Sequence, residues 1–473
     1  MIRWGIDRHR IAAAIAAVRL TGSSEWDAER DHHGDRDPID AGPVDAGPVE
    51  AERVDDELTE AELEEDEPGP LDELFARAIW SVLVEPGDST AGALIAAVGP
   101  VTAARLVIDR APGRAISDAT RGDVSAEAAN KGLARWTERL RATDVMRSLE
   151  SAARCKAMMI APGDSQWPVH LDALGDSPPV LLWARGDLGL LRRPGVAIVG
   201  ARAATGYGEH VSMEFSAGLC ARDVVVISGG AYGIDGMAHR AALASGGATI
   251  AVLAGGIDRI YPSGHEALLT RVADHGLLLS EVPCGTAPTK WRFLQRNRLI
   301  AALAAATVVV EAGRRSGSLN TAGHALTMGR PVGIVPGPIT SAASAGCHAT
   351  LRAEPVECVT SVAEIMQLAF GADGVLDLPD PAGSPSDDGG VVEATAVGVE
   401  RVNDPLQIRV MDALRPRRGQ TPVEVARSVG EASDRIRAVL GVLELEGHAA
   451  LGADGLWRRS TRPAARATDE ASD

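Results

Sequence analysis

Aromatic residues and cysteines are scarce in this chain of 473 residues. Aromatic side chains make up 3% of the sequence, and its three tyrosines all lie between residues 207 and 261. The five cysteines are widely spaced, and the lack of a C-x-x-C pair excludes the common zinc and redox motifs. We therefore expect reduced thiols and a cytoplasmic location.

Well-known catalytic signatures are also missing. The sequence contains no Walker loop, no G-x-S-x-G and no H-E-x-x-H, and no nucleophile, base or metal-ligand constellation presents itself. No apolar run reaches transmembrane length, and Arg19 interrupts the short apolar run near the N-terminus. We therefore predict no metal, no cofactor and no membrane partner.

Negative charge is concentrated in one segment. Between residues 23 and 73 the chain has 21 acidic residues and three arginines, which accounts for the whole net charge of -18. A long acidic run punctuated by Pro and Gly is typical of a disordered insert. The rest of the chain is neutral, so the overall charge does not exclude a nucleic-acid partner.

Composition and periodicity divide the chain into segments. We predict an N-terminal helix (1–22), an acidic disordered insert (23–70), a helical domain (71–160), a Rossmann-like core (161–372), a linker (373–401), a winged-helix domain (402–462) and a tail (463–473). The run GALIAAVGPVTAARL in the helical domain fits either a helix-hairpin-helix DNA module or ordinary helix packing. The winged-helix domain, with ten Arg and eight acidic residues from 404 to 462, fits a DNA reader or a protein-interaction module about equally.

Repeated apolar runs, most of them closed by Gly or a polar residue, define the predicted core. We place strands at 196–200, 224–228, 249–254, 277–281, 307–311 and 332–335, with helices between them. The alternation predicts an α/β fold with an extended Rossmann-like, doubly wound sheet. The short run VLLW at 180–183 predicts an additional edge strand.

The turns after the first two strands have the composition of an anion site. Gly200, Arg202 and Thr205 combine a permissive backbone, free amide donors and a guanidinium near a helix start. The second strand is followed by a glycine-rich turn, residues 228–233, which lets a phosphate approach the backbone. Two tight strand-to-helix turns are the structural alternative, but an arginine beside them favours an anion.

That anion is not predicted to be a dinucleotide. The first turn lacks the G-x-G-x-x-G fingerprint. The second strand ends at Ser228-Gly229, where a ribose-binding Asp or Glu is required. We therefore expect a phosphate-bearing ligand other than a dinucleotide.

Basic residues concentrate between residues 290 and 330, where seven Lys or Arg accompany one acidic residue. The run Arg296-Asn297-Arg298 opens a helix directly after Trp291 and Phe293. Single-stranded nucleic acid is held by Arg and Lys on its phosphates and by aromatic rings under its bases. A solvated helix face is the alternative, but the mixture of charge and rings favours single-stranded DNA.

Ordered motifs give these patterns a family resemblance. They are VGARxxTxYG from Val199, SGGAYGIDxxAH from Ser228, FLQRNRLIA from Phe293 and PGPxxxxxSxGCH from Pro336. Through them the chain, from residue 164 to about 348, resembles the DNA-processing protein A family (DprA, also called Smf).

The resemblance implies a function and a set of contacts. It implies a homodimer that is not an enzyme, binds single-stranded DNA entering during natural transformation, and loads the recombinase RecA on it. With the patterns above, the candidate DNA-binding residues are Gly200, Arg202, Thr205, Ser228, Gly229, Gly230, Tyr232, Gly233, Tyr261, His265, Lys290, Arg296, Asn297 and Arg298.

The chain also departs from the family pattern. Tyr232 and Ser263 stand where many members have a basic residue, so two phosphate contacts are expected to be missing. The segment after His348 is polar where members are apolar and Gly-rich, which predicts a remodelled end.

Two other functions stay open. A nucleotide-hydrolysing enzyme of the lysine-decarboxylase-like type has a related sheet, but its P-G-G-x-G-T turn is matched only by PGPIT at Pro336. A protein-interaction hub built on the winged-helix domain is the third possibility.

Overall fold

The computed structural model describes residues 4–19, 68–371 and 405–460, except residues 417, 446, 447 and 453. The predicted acidic insert up to residue 67, the linker 373–401 and the tail 463–473 lie outside the described residues.

A nine-stranded sheet forms the centre of the described chain. Its strands are β1 (Met158–Ile160), β2 (Leu182–Gly186), β3 (Gly195–Val199), β4 (Val225–Ser228), β5 (Thr249–Leu253), β6 (Leu277–Ser280), β7 (Ala306–Val309), β8 (Val332–Ile334) and β9 (Glu357–Cys358). Their order is β1-β2-β6-β5-β4-β3-β7-β8-β9. The α/β class predicted from the sequence is confirmed.

Strands β3 to β9 are parallel to one another, whereas β2 pairs antiparallel with β6 and β1 pairs antiparallel with β2. The VLLW run was predicted as an edge strand, and this was wrong. The strand there, β2, is internal because β1 pairs with its free side at Met159 and Trp183. Trp183 is fully buried in the apolar cluster that covers one face of β2.

The described residues also form sixteen α-helices. They are α1 (Arg8–Ala16), α2 (Pro70–Leu83), α3 (Ser89–Ile108), α4 (Gly113–Ala119), α5 (Ala126–Trp136), α6 (Ala142–Arg154), α7 (Gly206–Cys220), α8 (Ile234–Ala244), α9 (Glu266–His275), α10 (Lys290–Leu303), α11 (Ser318–Thr327), α12 (Ala345–Ala353), α13 (Val362–Phe370), α14 (Pro405–Ala413), α15 (Pro422–Val429) and α16 (Ser433–Leu445).

Strand β3 is apolar on both faces, and this explains why helices cover the sheet on both sides. Val196 and Ile198 pack in a cluster with residues of α7, α8 and α13. Ala197 and Val199 pack on the other face with residues of α10 and α11. Every residue of β3 is buried, so the strand reads as one continuous apolar run in the sequence.

The chain reverses its direction of travel across the sheet at β3. It runs from β3 through β4 and β5 to β6, and then returns with β7 to the other side of β3. Helices that follow strands on the two sides of such a switch point diverge, which leaves a crevice outside the carboxyl ends of the strands. The fold therefore places any ligand site just after β3, β4 and β7.

Helices α1 to α6 pack on the sheet through one continuous apolar cluster, which includes Trp80, Trp136, Ala251 and Leu253. The two tryptophan rings meet edge to face with centroids 5.2 Å apart. Each indole N–H finds a partner, the Pro100 carbonyl for Trp80 and a carboxylate for Trp136. These helices and the sheet thus share their core.

Helix α3 is, within the described residues, the single helix long and apolar enough to be a candidate membrane span. Gly99 has φ 77°, so the helical conformation breaks there, immediately before Pro100. The break leaves pieces at 89–98 and 100–108, each far shorter than the ~20 residues a span requires. The Gly99-Pro100 turn is where the sequence suggested a helix-hairpin-helix.

The C-terminal unit, residues 405–460, contains α14, α15, α16 and a two-stranded hairpin, β10 (Ala449–Leu451) with β11 (Trp457–Arg459). Thr421 caps α15 in a capping box with Glu424, at the helix start predicted from Thr421-Pro422. Its buried apolar residues form a cluster of their own. The five cysteines of the chain lie in the described part and are free thiols.

Candidate nucleic-acid-binding site

A cavity of about 750 Å³ opens at the carboxyl ends of β3 and its neighbours. We call it the strand-end cavity. Its lining includes four cationic side chains, which are Arg202, Lys290, Arg296 and Arg315. Two carboxylates, Asp235 and Asp412, also line it, so cations outnumber acids.

The ring of Phe293 lies close to two of the cationic side chains. The guanidinium carbon of Arg202 lies 4.8 Å from the centroid of the Phe293 ring, and that of Arg296 lies 5.8 Å from it. The ring of Tyr261, which is 49% exposed, lies 5.6 Å from the Phe293 ring. Cationic groups and accessible rings are therefore combined on one wall of the cavity.

Arg202 is exposed, as are Lys290 and Arg315. It follows β3 by three residues and precedes α7, so its side chain reaches the cavity from the turn. Among the described residues, no carboxylate lies within ion-pair distance of its guanidinium. The charge of Arg202 is thus available to an anionic ligand.

Arg296, in contrast, is buried and connects the turn after β4 to strand β5. Its Nη1 donates to the Gly229 carbonyl oxygen at 2.6 Å and to the carbonyl of Val252. Burial lowers the pKa of Arg296 to about 10, and the nearby Asp235 carboxylate opposes that shift. Its Nε has no hydrogen-bond partner, so one buried donor of the cavity wall is unsatisfied.

The β4 turn is shaped by glycines that admit no side chain. A Cβ on Gly229 would lie 2.1 Å from Nη1 of Arg296. Gly233 has φ +74°, and a Cβ there would lie 2.2 Å from the Ala201 carbonyl oxygen. The Asp235 carboxylate accepts from the Gly229 and Ala231 amides at 3.2 and 3.4 Å. Burial raises the pKa of Asp235, partly offset by Arg296 and these amides.

Thr205 joins the first turn to β7. Its amide donates to Oε2 of Glu311 and its hydroxyl to Oε1, each at 2.8 Å. The same hydroxyl accepts from the Gly208 amide and caps α7. Glu311 is 1% exposed, so both carboxylate oxygens are committed to positioning this turn.

Helix α10 carries Phe293 and Arg296 and forms part of the same wall. Thr289 caps its N-terminus, which places exposed Lys290 at the edge of the cavity. Nδ2 of Asn297 donates to the Gly317 carbonyl at 3.2 Å and to the Asn320 side chain at 3.3 Å. Asn297 therefore fixes the loop that leads into α11.

Several residues predicted to contact DNA instead make internal contacts that stabilise the structure around the turns. Ser228 is buried and donates to the Ile198 carbonyl at 2.6 Å. The ring of buried His265 contacts the Gly230 carbonyl at 3.1 Å through Nδ1 and meets Tyr232 edge to face. Arg298 is buried and pairs with Glu281 at 2.5 Å, and burial raises the pKa of that carboxyl against the pull of Arg298.

The strand-end cavity brings together part of the predicted set. The predicted residues that line it are Gly200, Arg202, Tyr261, Lys290, Arg296 and Asn297. The predicted residues outside its lining are Thr205, Ser228, Gly229, Gly230, Tyr232, Gly233, His265 and Arg298. Sequence reasoning missed the lining residues Ser316, Gly317, Ser318, Thr321 and Asp412. The first four follow β7, and the rule that ligands bind after strand ends could have found them.

No group of three or more His, Cys, Asp or Glu suited to a metal ion occurs in the described part of the chain.

The mostly parallel sheet, with a basic and aromatic cavity at the carboxyl ends of its strands, is the architecture of doubly wound α/β proteins, whose ligands bind at a switch point. The sequence family described as DNA recombination-mediator protein A matches residues 158–369. The chain is 44% identical over 396 residues to the DNA processing protein DprA of Mycobacterium tuberculosis, a match covering 81% of this chain and 93% of the relative. The chain therefore belongs to the DNA-processing protein A (DprA/Smf) family.

Two further relatives agree with this assignment. The Smf protein of Escherichia coli is 37% identical over 275 residues, which cover 58% of this chain and 72% of that protein. The crystal structure of DNA processing protein A from Streptococcus pneumoniae is 31% identical and superposes with a TM-score of 0.50. That match covers 62% of this chain and 96% of the pneumococcal chain.

Proposed function

We propose that this protein binds single-stranded DNA in the strand-end cavity as a non-catalytic recombination mediator. The observation that carries the proposal is the pairing of exposed Arg202 with the Phe293 ring at 4.8 Å inside a cavity with a surplus of cations. A guanidinium offers a phosphate two donors, and a ring offers any base a stacking surface.

Different residues of the cavity are proposed to contact the DNA backbone and the DNA bases. Arg202 and Lys290 meet phosphates, while Phe293 and Tyr261 stack unpaired bases. None of these contacts reads the hydrogen-bonding edge of a base, so we expect binding that tolerates any sequence. A duplex hides its base faces in the stack, so single strands are preferred.

Family membership supports the wider role. We propose that the protein is cytoplasmic, acts as a homodimer and loads RecA on single-stranded DNA during natural transformation. We also propose that the chain has the domain boundaries predicted from its sequence, with a helical domain at 71–160 and a winged-helix C-terminal unit. The three helices and the hairpin of the C-terminal unit support the winged-helix assignment.

The nucleotide-hydrolase alternative is not favoured, because Glu311, the acidic residue that follows β7, is already engaged. Glu311 is buried and both of its carboxylate oxygens accept hydrogen bonds from Thr205. A release assay for free base from nucleoside monophosphates tests it. Turnover that the Glu311→Gln variant abolishes would establish hydrolysis and reject the non-catalytic role.

The direct test is fluorescence anisotropy with one labelled oligonucleotide, presented alone and annealed to its complement. We expect tighter binding of the single strand, with affinity that falls as salt rises. Equal affinity for both forms, or affinity independent of salt, contradicts the proposal. RecA filament assembly on DNA precoated with single-strand-binding protein then tests the mediator role, and no acceleration by this protein rejects it.

A further inference from the structure

The C-terminal unit places a carboxylate at the mouth of the strand-end cavity. Asp412, near the end of α14, lines the cavity and accepts a hydrogen bond from the backbone amide of Lys290. Lys290 is the first residue of α10, and its amide is one of the donors that a helix leaves unpaired at its N-terminus. An acidic group from a distant part of the chain thus sits among the cations proposed to hold DNA.

A carboxylate in this position resembles the proposed ligand chemically. The N-terminus of a helix attracts anions because its free amides point outward and its dipole is positive there. A DNA phosphate binds to the same groups, because it accepts hydrogen bonds from amide donors and pairs with the Lys290 ammonium beside them. Asp412 and a phosphate therefore compete for one position.

The docking contacts of the C-terminal unit are mainly polar. Arg139 donates from Nε to the Arg427 carbonyl at 2.8 Å and from Nη2 to the Ser428 carbonyl at 3.0 Å. Glu138 accepts from Arg427 Nε at 3.3 Å through its carbonyl and from the Ser433 hydroxyl at 3.1 Å. These contacts join the 3-10 helix after α5 (Thr137–Arg139) to α15 and the start of α16.

A second set of contacts joins the unit to α10. The guanidinium of Arg409, on α14, lies 5.3 Å from the centroid of the Trp291 ring. It also pairs with Glu431 of its own unit at 3.6 Å. The unit keeps a separate apolar cluster, so its departure would leave that cluster intact. Polar interfaces of this kind permit domain movement.

We propose that the docked C-terminal unit is an autoinhibitory element, in which Asp412 competes with a DNA phosphate for the N-terminus of α10. This inference rests on the proposed function. Single-stranded DNA entering the cavity displaces Asp412, and the unit moves away from α10.

The test compares two charge-removing variants of the full-length chain by oligonucleotide anisotropy at low salt. Asp412→Asn removes the competing charge, and we expect its dissociation constant to fall roughly two- to fivefold, the size of a helix N-terminal charge effect. Asp434→Asn is the matched control, since Asp434 is 94% exposed and pairs with Arg437 away from the cavity lining. Both variants change the net charge equally.

A third variant separates release of the unit from general electrostatics. Arg427→Ala removes a docking contact together with a positive charge. Simple electrostatics predicts weaker DNA binding, whereas release of an inhibitor predicts unchanged or tighter binding. Hydrogen exchange gives a second readout, in which DNA should slow exchange of the α10 amides and accelerate exchange across α15.

The outcomes distinguish this inference from the proposed function. If the wild type binds single strands but Asp412→Asn matches Asp434→Asn, the autoinhibitory contact is rejected and the binding function stands. Weaker binding by Asp412→Asn also rejects it, because Asp412 then supports the site. If neither the wild type nor any variant binds, both proposals are rejected.

Discussion

Glu85 lies in a buried charge network that connects the N-terminal helices to the cavity wall, and its replacement should be strongly destabilising. Its carboxylate accepts from Arg292 of α10 at 3.0 Å through Nε and 2.7 Å through Nη2, and it pairs with Arg139. All three residues are at most 8% exposed. Glu85→Gln keeps the shape and removes the charge.

The loss of stability in Glu85→Gln can be gauged both from the pKa shift of Glu85 and from the usual cost of breaking a buried ion pair. Burial raises the pKa of Glu85, but the two arginines outweigh it and hold the pKa at about 2, below the ordinary 4.5. A shift of that size corresponds to about 3 kcal/mol of stabilisation at neutral pH. Removing one partner of a buried ion pair typically costs about 3–5 kcal/mol, because the remaining charges stay unpaired.

The pH dependence has a defined sign. The folded pKa of Glu85 is lower than the unfolded one, so its contribution is complete above about pH 5 and is lost as pH falls from 4.5 towards 2. Urea unfolding followed by circular dichroism should show a difference of about 3 kcal/mol between wild type and Glu85→Gln at pH 7. The difference should shrink at pH 3.

Glu73→Gln is the matched control for this experiment. Glu73 is half exposed and pairs with Arg77 one turn along α2, so its loss should cost less than about 0.5 kcal/mol. A Glu85→Gln effect no larger than the control, or one that does not change between pH 7 and pH 3, would refute the reasoning.

Other substitutions test the cavity and its turns. Phe293→Ala should weaken single-strand binding by about 1–3 kcal/mol in an anisotropy titration, because a base loses its stacking surface; unchanged affinity means that the ring does not stack a base. Gly233→Ala should destabilise the fold in urea by more than Gly246→Ala. Both glycines have positive φ, but an added Cβ meets the Ala201 carbonyl at 2.2 Å only at Gly233 and has open space at Gly246. Equal costs at the two positions show that backbone conformation alone matters there.

The sheet was predictable because parallel strands buried on both faces are continuous apolar runs. The run at 196–200 corresponds to β3 at Gly195–Val199, and that at 277–281 corresponds to β6 at Leu277–Ser280. The position of β2 was not predictable, since its covering strand β1 lies in a three-residue run that has no distinctive pattern.

The cavity was predictable where it depends on strand ends. Arg202 follows the first parallel strand, and the switch-point rule places such residues in the crevice. Arg292, Arg296 and Arg298 are among the seven basic residues counted between 290 and 330, but the structure buries all three. A count of charges cannot identify buried partners such as the Gly229 carbonyl or the Glu281 carboxylate.

The contact between Asp412 and Lys290 lies beyond sequence reasoning of this kind. The two residues are 122 positions apart, and their contact depends on how the C-terminal unit docks on α10. Docking of this kind rests on individual hydrogen bonds to backbone carbonyls, such as those from Arg139. Backbone carbonyls are the same in every sequence, so no residue pattern reveals them.

The salt dependence of single-strand binding by Arg202→Ala tests the central claim most directly. Wild type and variant would be titrated with two unrelated oligonucleotide sequences over a range of salt concentrations, with Arg271→Ala, an exposed arginine outside the cavity lining, as the control. We predict that Arg202→Ala weakens binding of both sequences alike and reduces the slope of log affinity against log salt by about one. Equal slopes and affinities for Arg202→Ala and Arg271→Ala would contradict the account.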